Sequence, residues 1–189
     1  MKKNLFKALI MSSMFASVTF FAACDEDAGI TIDVPQDIDA FYKIPPLSTT
    51  TLSRVDTIES NLDSLLTANN ASREDITQIV LSGLKLTITD VNGVTQPSQN
   101  FNNIKNIGVS IAELTGNFSA IQAIDSATMF TSYRNINPII FPTLTENVDL
   151  LPFVVKPSFR TSLEGRLYNP TTDTMYVKST MTLLVGVSL

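Results

Sequence analysis

Apolar residues fall at every second position in several separate stretches of this chain. Leu84, Leu86 and Ile88 alternate with Lys85, Thr87 and Thr89, and Ile107, Val109 and Ile111 are spaced by Gly108 and Ser110. A period of two places one face of an extended strand in a core and the other in solvent. Ile30, Ile32 and Val34 show the same alternation, which Pro35 is expected to stop. Residues 40–47 read as a second extended segment, whose Pro45-Pro46 suits an edge or a bend. Asn92-Gly93 marks a turn, 95–103 a polar loop, and 118–124 and 136–144 weaker segments, the latter cut by Pro138 and Pro142. The periodicity of 148–155 fits a helical turn and an extended run equally. Two β-rich runs, 158–168 and 174–187, flank the turn residues 169–173 and are expected to form a terminal hairpin.

Between the early strands the period changes. Val55, Ile58, Leu62, Leu65 and Leu66 recur at steps of three and four, which predicts a helix over 54–67. Ser72-Arg73-Glu74-Asp75 resembles a capping box and is followed by Ile76, Ile79 and Val80 on one helical face. Gly83 fits the left-handed position that ends such a helix, so a second helix is expected over 73–82. The expectation is a mainly β chain: one antiparallel β-sandwich of about eight strands over 31–189, with two short helices inserted between strands to cover an open end or edge. The hallmarks of immunoglobulin domains, a Trp and a Cys pair, are missing.

Composition narrows the chemistry. The chain has 189 residues with no His, no Trp and a single Cys. These absences remove His-based acid–base catalysis, His/Cys zinc sites, Ser-His-Asp and Cys-His nucleophiles, and disulfides within one chain. A net charge of −5 without basic clusters argues against nucleic acid as a partner.

The lone Cys stands in an informative place. Lys2, Lys3 and Lys7 open the chain, an apolar run broken only by Ser and Thr follows over 8–23, and Ala22-Ala23 precede Cys24. Residues 1–23 thus have the three-part form of a secretory signal peptide, and the run is marginal as a permanent membrane span. Phe21-Ala22-Ala23-Cys24 resembles a bacterial lipobox. That resemblance implies cleavage before Cys24 and a covalent lipid on its thiol, because a thiol nucleophile can take a diacylglyceryl group as a thioether. Loss of the three lysines and no acid would take the charge from −5 to −8. Two or three acyl chains, at about 0.8 kcal/mol per buried CH₂, anchor a protein essentially permanently.

Asp25, Glu26 and Asp27 directly follow. An acidic cluster there resembles the surface-export signal of lipoproteins from the Bacteroidetes group, and residues 24–30 read as an acidic tether. The O-glycosylation sequon of that group, Asp, then Ser or Thr, then an aliphatic residue, resembles four sites here. They are Asp56-Thr57-Ile58, Asp63-Ser64-Leu65, Asp125-Ser126-Ala127 and Asp173-Thr174-Met175, which makes Thr57, Ser64, Ser126 and Thr174 candidate acceptors.

Other motifs carry less. Ser82-Gly83-Leu84-Lys85 matches the Ser-x-x-Lys of penicillin-recognising enzymes, but their Ser-Asp-Asn and Lys-Thr-Gly motifs are missing. Asp33, Asp37, Asp39 and Glu164 are the carboxylates that a glycosidase would need in one cleft, about 5–9.5 Å apart. Asp33, Asp37 and Asp39, or Asp90 with Asn92, could offer calcium ligands, but neither stretch has EF-hand spacing, and a turn at 90–93 is the simpler role. Sugar binding could use Tyr42, Tyr133, Tyr168 or Tyr176 as platforms. The reading that results is a non-enzymatic, lipid-anchored module of the outer membrane, facing the cell surface and acting in adhesion, scaffolding or interaction. It needs no cofactor or metal beyond the lipid on Cys24, and its partners would be the membrane and a surface protein or glycan. The alternative is a glycan- or peptide-binding accessory of an outer-membrane uptake complex, marked by a concave loop surface with at least two exposed tyrosines.

Overall fold

The computed structural model describes residues 31–96, 98–141 and 148–188. Cys24, Asp25, Glu26 and Asp27, with the expected signal peptide and tether, lie outside the described residues. Among the described residues, eight strands form two four-stranded antiparallel sheets: β1 (Thr31–Ile44), β2 (Thr51–Glu59), β3 (Ile76–Thr89), β4 (Ile104–Ala112), β5 (Ser119–Ile124), β6 (Ile139–Ile140), β7 (Ser158–Leu167) and β8 (Met175–Ser188). The first sheet has the order β1-β8-β3-β6 and the second β2-β7-β4-β5. Most consecutive strands therefore lie in opposite sheets, which is the double-sheet jelly roll among sandwiches. Three short helices complete it: α1 (Leu62–Ala68), α2 (Ser126–Thr128), which runs on into a π turn over Met129–Tyr133, and α3 (Leu151–Val154).

The inner faces follow from the two-residue period. Ile38, Ala40, Tyr42 and Ile44 of β1, Leu84, Leu86 and Ile88 of β3, and Val177, Met181, Leu183 and Val185 of β8 are buried against Leu52 and Ile58 of β2, Ile107, Val109 and Ile111 of β4, and Phe159 and Leu163 of β7. Burying each such side chain contributes about 1.5–3 kcal/mol relative to exposure. Leu62 and Leu66 of α1 join the same core and close one end of the sandwich.

Four sequence expectations are corrected. The stretch 54–67 is not one helix: β2 runs to Glu59, Asn61 turns the chain at φ 52°, and only Leu62–Ala68 is helical. Val55, which began the helical stripe, points outward and is 53% exposed. Nine residues of β2 instead pair with β7, and this tertiary pairing outweighs the local period. The stretch 73–82 is a single 3₁₀ turn (Arg73–Asp75) followed by β3. Here Ser72 and Asp75 do form the capping box, but β-branched Ile76, Thr77, Ile79 and Val80 extend along β8. Gly83 accordingly sits within β3 at a register shift rather than at a helix end. Pro35 does not stop β1. The strand is an edge strand, and its missing N–H faces away from β8. Finally, 158–168 and 174–187 do not form a hairpin, because β7 belongs to the second sheet and β8 to the first. Residues 168–174 arch across the sandwich.

Candidate interaction surface at the four-loop end

The strand order gives the molecule two unlike ends. At the near end, where β1 begins, Thr31 pairs with Ser188, and Val187 pairs with both Ile32 and Ile76. The connections 60–75, 113–118 and 149–157 lie there. At the far end, where β1 finishes, four connections meet: 45–50, 90–103, 125–138 and 168–174.

Polar side chains and backbone groups fasten these four loops together. Leu47 and Thr171 exchange backbone hydrogen bonds of 3.0 and 3.1 Å, tying the two arches. Asn103 donates from Nδ2 to the carbonyl of Asn169 at 2.9 Å, and its Oδ1 accepts from the Asn169 amide at 3.0 Å. Asn137 accepts from the Ile88 amide at 2.9 Å and donates to the carbonyls of Ile88 at 3.2 Å and Gln96 at 2.9 Å. Sequence reasoning missed Asn103 and Asn137. An amide in a loop carries no local signal, and only the convergence of distant loops gives these two their roles.

The turn at 90–93 forms as its residues predict. Asp90 Oδ1 accepts from the amides of Asn92 at 2.8 Å and Val94 at 2.9 Å, and Gly93 adopts φ 81°. The left-handed backbone favours Gly there. A Cβ at Gly93 would stand 3.4 Å from Phe41 Cε1, so the turn rests against that ring. Beside this contact is an open hollow of about 420 Å³ on the outer face of the first sheet, lined by residues that include Phe41, Lys43, Thr89, Asn92 and Tyr176. Lys43, Tyr176 and Thr89 form one row across β1, β8 and β3, and Phe41 and Lys178 belong to the next.

Exposed apolar residues gather at this end: Phe41, Val91, Val94, Phe130, Ile136 and Tyr168, with Val91 69% exposed. Arg134 lies over the Phe130 ring at 5.0 Å from its centroid. Charge is divided too. Lys43, Lys105, Arg134, Arg166 and Lys178 lie at or near the far end together with Asp90, Asp125 and Asp173, whereas Asp33, Asp37, Glu59, Asp63, Glu74, Asp75, Glu113 and Asp149 lie towards the near one together with Arg73, Lys156 and Arg160. Acids thus predominate at the near end, while the far end is apolar and of mixed charge.

The predicted carboxylates have structural partners. Asp37 accepts from Thr182 Oγ1 at 2.6 Å, Asp39 accepts from Thr180 Oγ1 at 2.7 Å and from Lys178 Nζ at 3.3 Å, and Asp33 accepts from Gln78 at 3.4 Å. Glu164, on the other sheet, accepts from Ser162 at 3.3 Å. Asp37, Asp39, Asp56 and Glu59 line a second hollow between β1 and β2. Among the described residues no group of three or more Asp, Glu or Cys side chains is arranged to hold a metal ion. Ser82 donates to the Thr182 carbonyl at 3.0 Å from within a strand, not from the start of a helix.

The sequon residues are dispersed. Thr57 on β2, Ser64 on α1 and Thr174 before β8 are exposed, and Ser126 at the start of α2 is half-buried. Three of the sequon acids have other work. Asp56 accepts from the Phe41 amide; Asp63 binds Arg73 through both oxygens at 2.7 and 3.0 Å; Asp125 caps α2 by accepting from the Thr128 amide at 2.8 Å. The hydrogen bonds from Arg73 hold the Asp63 carboxyl below the usual range, and those from Thr128 do the same for Asp125. Arg73 also donates to the Val155 carbonyl, which joins α1, the 3₁₀ turn and α3 at the near end. Of the four tyrosines, Tyr42 is buried, Tyr133 and Tyr176 are half-buried, and Tyr168 is 41% exposed.

These features define a jelly-roll sandwich with one end formed by four interlinked loops. No family model matches the chain, and no curated protein matches it. Among solved structures, one titled Desmodium yellow mottle tymovirus is similar at 12% identity and a TM-score of 0.30, covering 100% of this chain and 97% of that one. One titled Turnip yellow mosaic virus is similar at 16% identity and a TM-score of 0.25, covering 92% and 90%. Likeness at these scores carries no functional argument. No helix among the described residues is long and apolar enough to cross a membrane.

Proposed function

We propose that this protein is a lipoprotein held at the outer membrane through acylated Cys24, with Asp25, Glu26 and Asp27 directing it to the cell surface. It acts there as a non-enzymatic interaction module. One observation carries the reading: the strand nearest the tether starts at the near end and runs towards the end where the exposed apolar residues collect. The 14 residues of β1 span roughly 45 Å at about 3.3 Å each. A lipid at Cys24 therefore holds the near end towards the membrane and leaves the four-loop end to meet partners. Confinement to a surface raises the effective concentration of that end for neighbouring proteins or glycans. The acidic near end opposes close approach to an anionic membrane surface, which reinforces the orientation. Exposed Thr57, Ser64 and Thr174 are the accessible O-glycosylation acceptors in this reading, and Ser126 is the hindered one.

Cys24→Ser is the test. The wild-type protein should partition into detergent and carry a diacylglyceryl mass at residue 24. The variant should remain a precursor or appear in the soluble fraction. Native protein with a free thiol at Cys24 would overturn the proposal.

A further inference from the structure

We infer that the hollow lined by Phe41 and the 90–93 turn is a binding site for an acidic saccharide, a hexuronate unit being the class that fits. This rests on reading the four-loop end as the contact end. The volume, about 420 Å³, lies in the range of small-ligand sites. Phe41 is 54% exposed although it lies on a strand, and Gly93 and the turn support one side of its ring. Half-buried Tyr176 adds a second ring in the same hollow. Aromatic faces take up the apolar face of a sugar ring.

Charge selects the acidic class. Lys43 lines the hollow, is exposed, and has no ion-pair partner among the described residues, whereas Lys178 beside it is held by Asp39 at 3.3 Å. The Lys178 ammonium lies 5.9 Å from the Phe41 ring centroid. A ligand carboxylate beside Lys43 gains a charge-assisted contact, and the side-chain carboxamide of Asn92, which also lines the hollow, can meet hydroxyls. The one carboxylate lining the hollow, that of Asp90, is turned to its own loop amides.

The alternative, an acidic peptide added as a strand, meets an occupied edge. The N–H of Phe41 is taken by Asp56 at 3.0 Å and the carbonyl of Lys43 by Arg54 Nε at 3.2 Å. Strand addition needs those backbone groups free. Recognition through side chains remains, and rings with an amine suit a sugar acid.

The test is calorimetric titration of the full chain in detergent with tetragalacturonate, galactotetraose and tetraglutamate. Tetragalacturonate should bind, and both Lys43→Gln and Phe41→Ala should weaken it by about tenfold or more. Both positions are exposed, so thermal midpoints should match the wild type. Binding should also weaken between roughly 0.05 and 0.3 M salt, since the contact is ionic. Absence of tetragalacturonate binding, or binding that neither variant weakens, overturns the proposal. Galactotetraose bound equally well and lost in Phe41→Ala overturns the acidic class while the contact end stands. Tetraglutamate bound as tightly and unaffected by Phe41→Ala replaces the saccharide with a peptide. Retention of all binding in variants of both residues would remove the contact-end reading at this hollow, with Cys24 anchoring tested separately.

Discussion

The backbone N–H of Phe41 donates to the carboxylate of Asp56 at 3.0 Å, across the gap between the edge strands of the two sheets. Residues of β1 with odd numbers direct their backbone groups away from β8, and several of these groups are occupied or removed. Pro35 has no N–H, the Asp37 carbonyl accepts from Gln36 Nε2 at 3.0 Å, and the Lys43 carbonyl accepts from Arg54. A long edge strand is thus made a poor template for a second chain.

Asp56→Ala should expose that edge. We expect a stability loss of about 1 kcal/mol, typical of one hydrogen bond, and self-association that grows with concentration. Urea unfolding and light scattering would show both; a variant that stays monomeric at every concentration would speak against edge protection. Asp56→Asn keeps an acceptor oxygen and should behave more nearly as the wild type.

Tyr42 links the sheets through the core, its hydroxyl donating to Thr161 Oγ1 at 2.8 Å. Burial, the dominant influence, pushes the phenol well above its ordinary range; Asp56 adds to this and the Thr161 hydrogen bond works against it. With the folded value raised, the stabilising contribution is complete below the unfolded value of about 10 and falls as pH rises above it. Tyr42→Phe should cost about 1 kcal/mol at neutral pH and lessen the alkaline loss. Denaturant midpoints at pH 7 and above pH 10, for both proteins, check the sign.

Two glycines should respond oppositely to Ala. A Cβ at Gly165 on β7 would stand 2.3 Å from the Asn106 carbonyl oxygen and 3.2 Å from Ile107 Cα, where the strands shift register. Backbone must move, at about 1–3 kcal/mol. At Gly83 the nearest atom is Thr182 Cβ at 3.6 Å, an ordinary contact. Gly83→Ala should change stability by less than about 1 kcal/mol. Thermal midpoints of the two variants decide the matter; equal losses would contradict the packing at Gly165.

Strands whose faces differ in polarity were legible in the sequence, as Ile107–Ile111 shows, although Thr87 and Thr89, expected on a solvent face, are buried. Residues whose environment is set by a distant partner were not. Val55 and Ile58 completed a helical stripe by coincidence, and pairing with β7 decided otherwise. Asn169-Pro170 signalled a chain reversal correctly, but nothing local says whether the next strand joins its predecessor or the facing sheet. For the candidate site, the 90–93 turn could be read from Asp90, Asn92 and Gly93. Its proximity to Phe41 and Lys43 could not, because those residues approach through β8, which comes last of the eight. The sequence offers tyrosines as sugar platforms, yet the most open ring in the hollow belongs to Phe41.

The place of β8 between β1 and β3 governs how this protein can mature. The earliest strand to leave a ribosome must wait, unpaired on its inner side, for the latest. Such long-range closure makes folding slow and keeps the first sheet incomplete until synthesis has passed residue 188. For the exported lipoprotein proposed above, this order of pairing would keep the chain an extended thread until β8 has crossed.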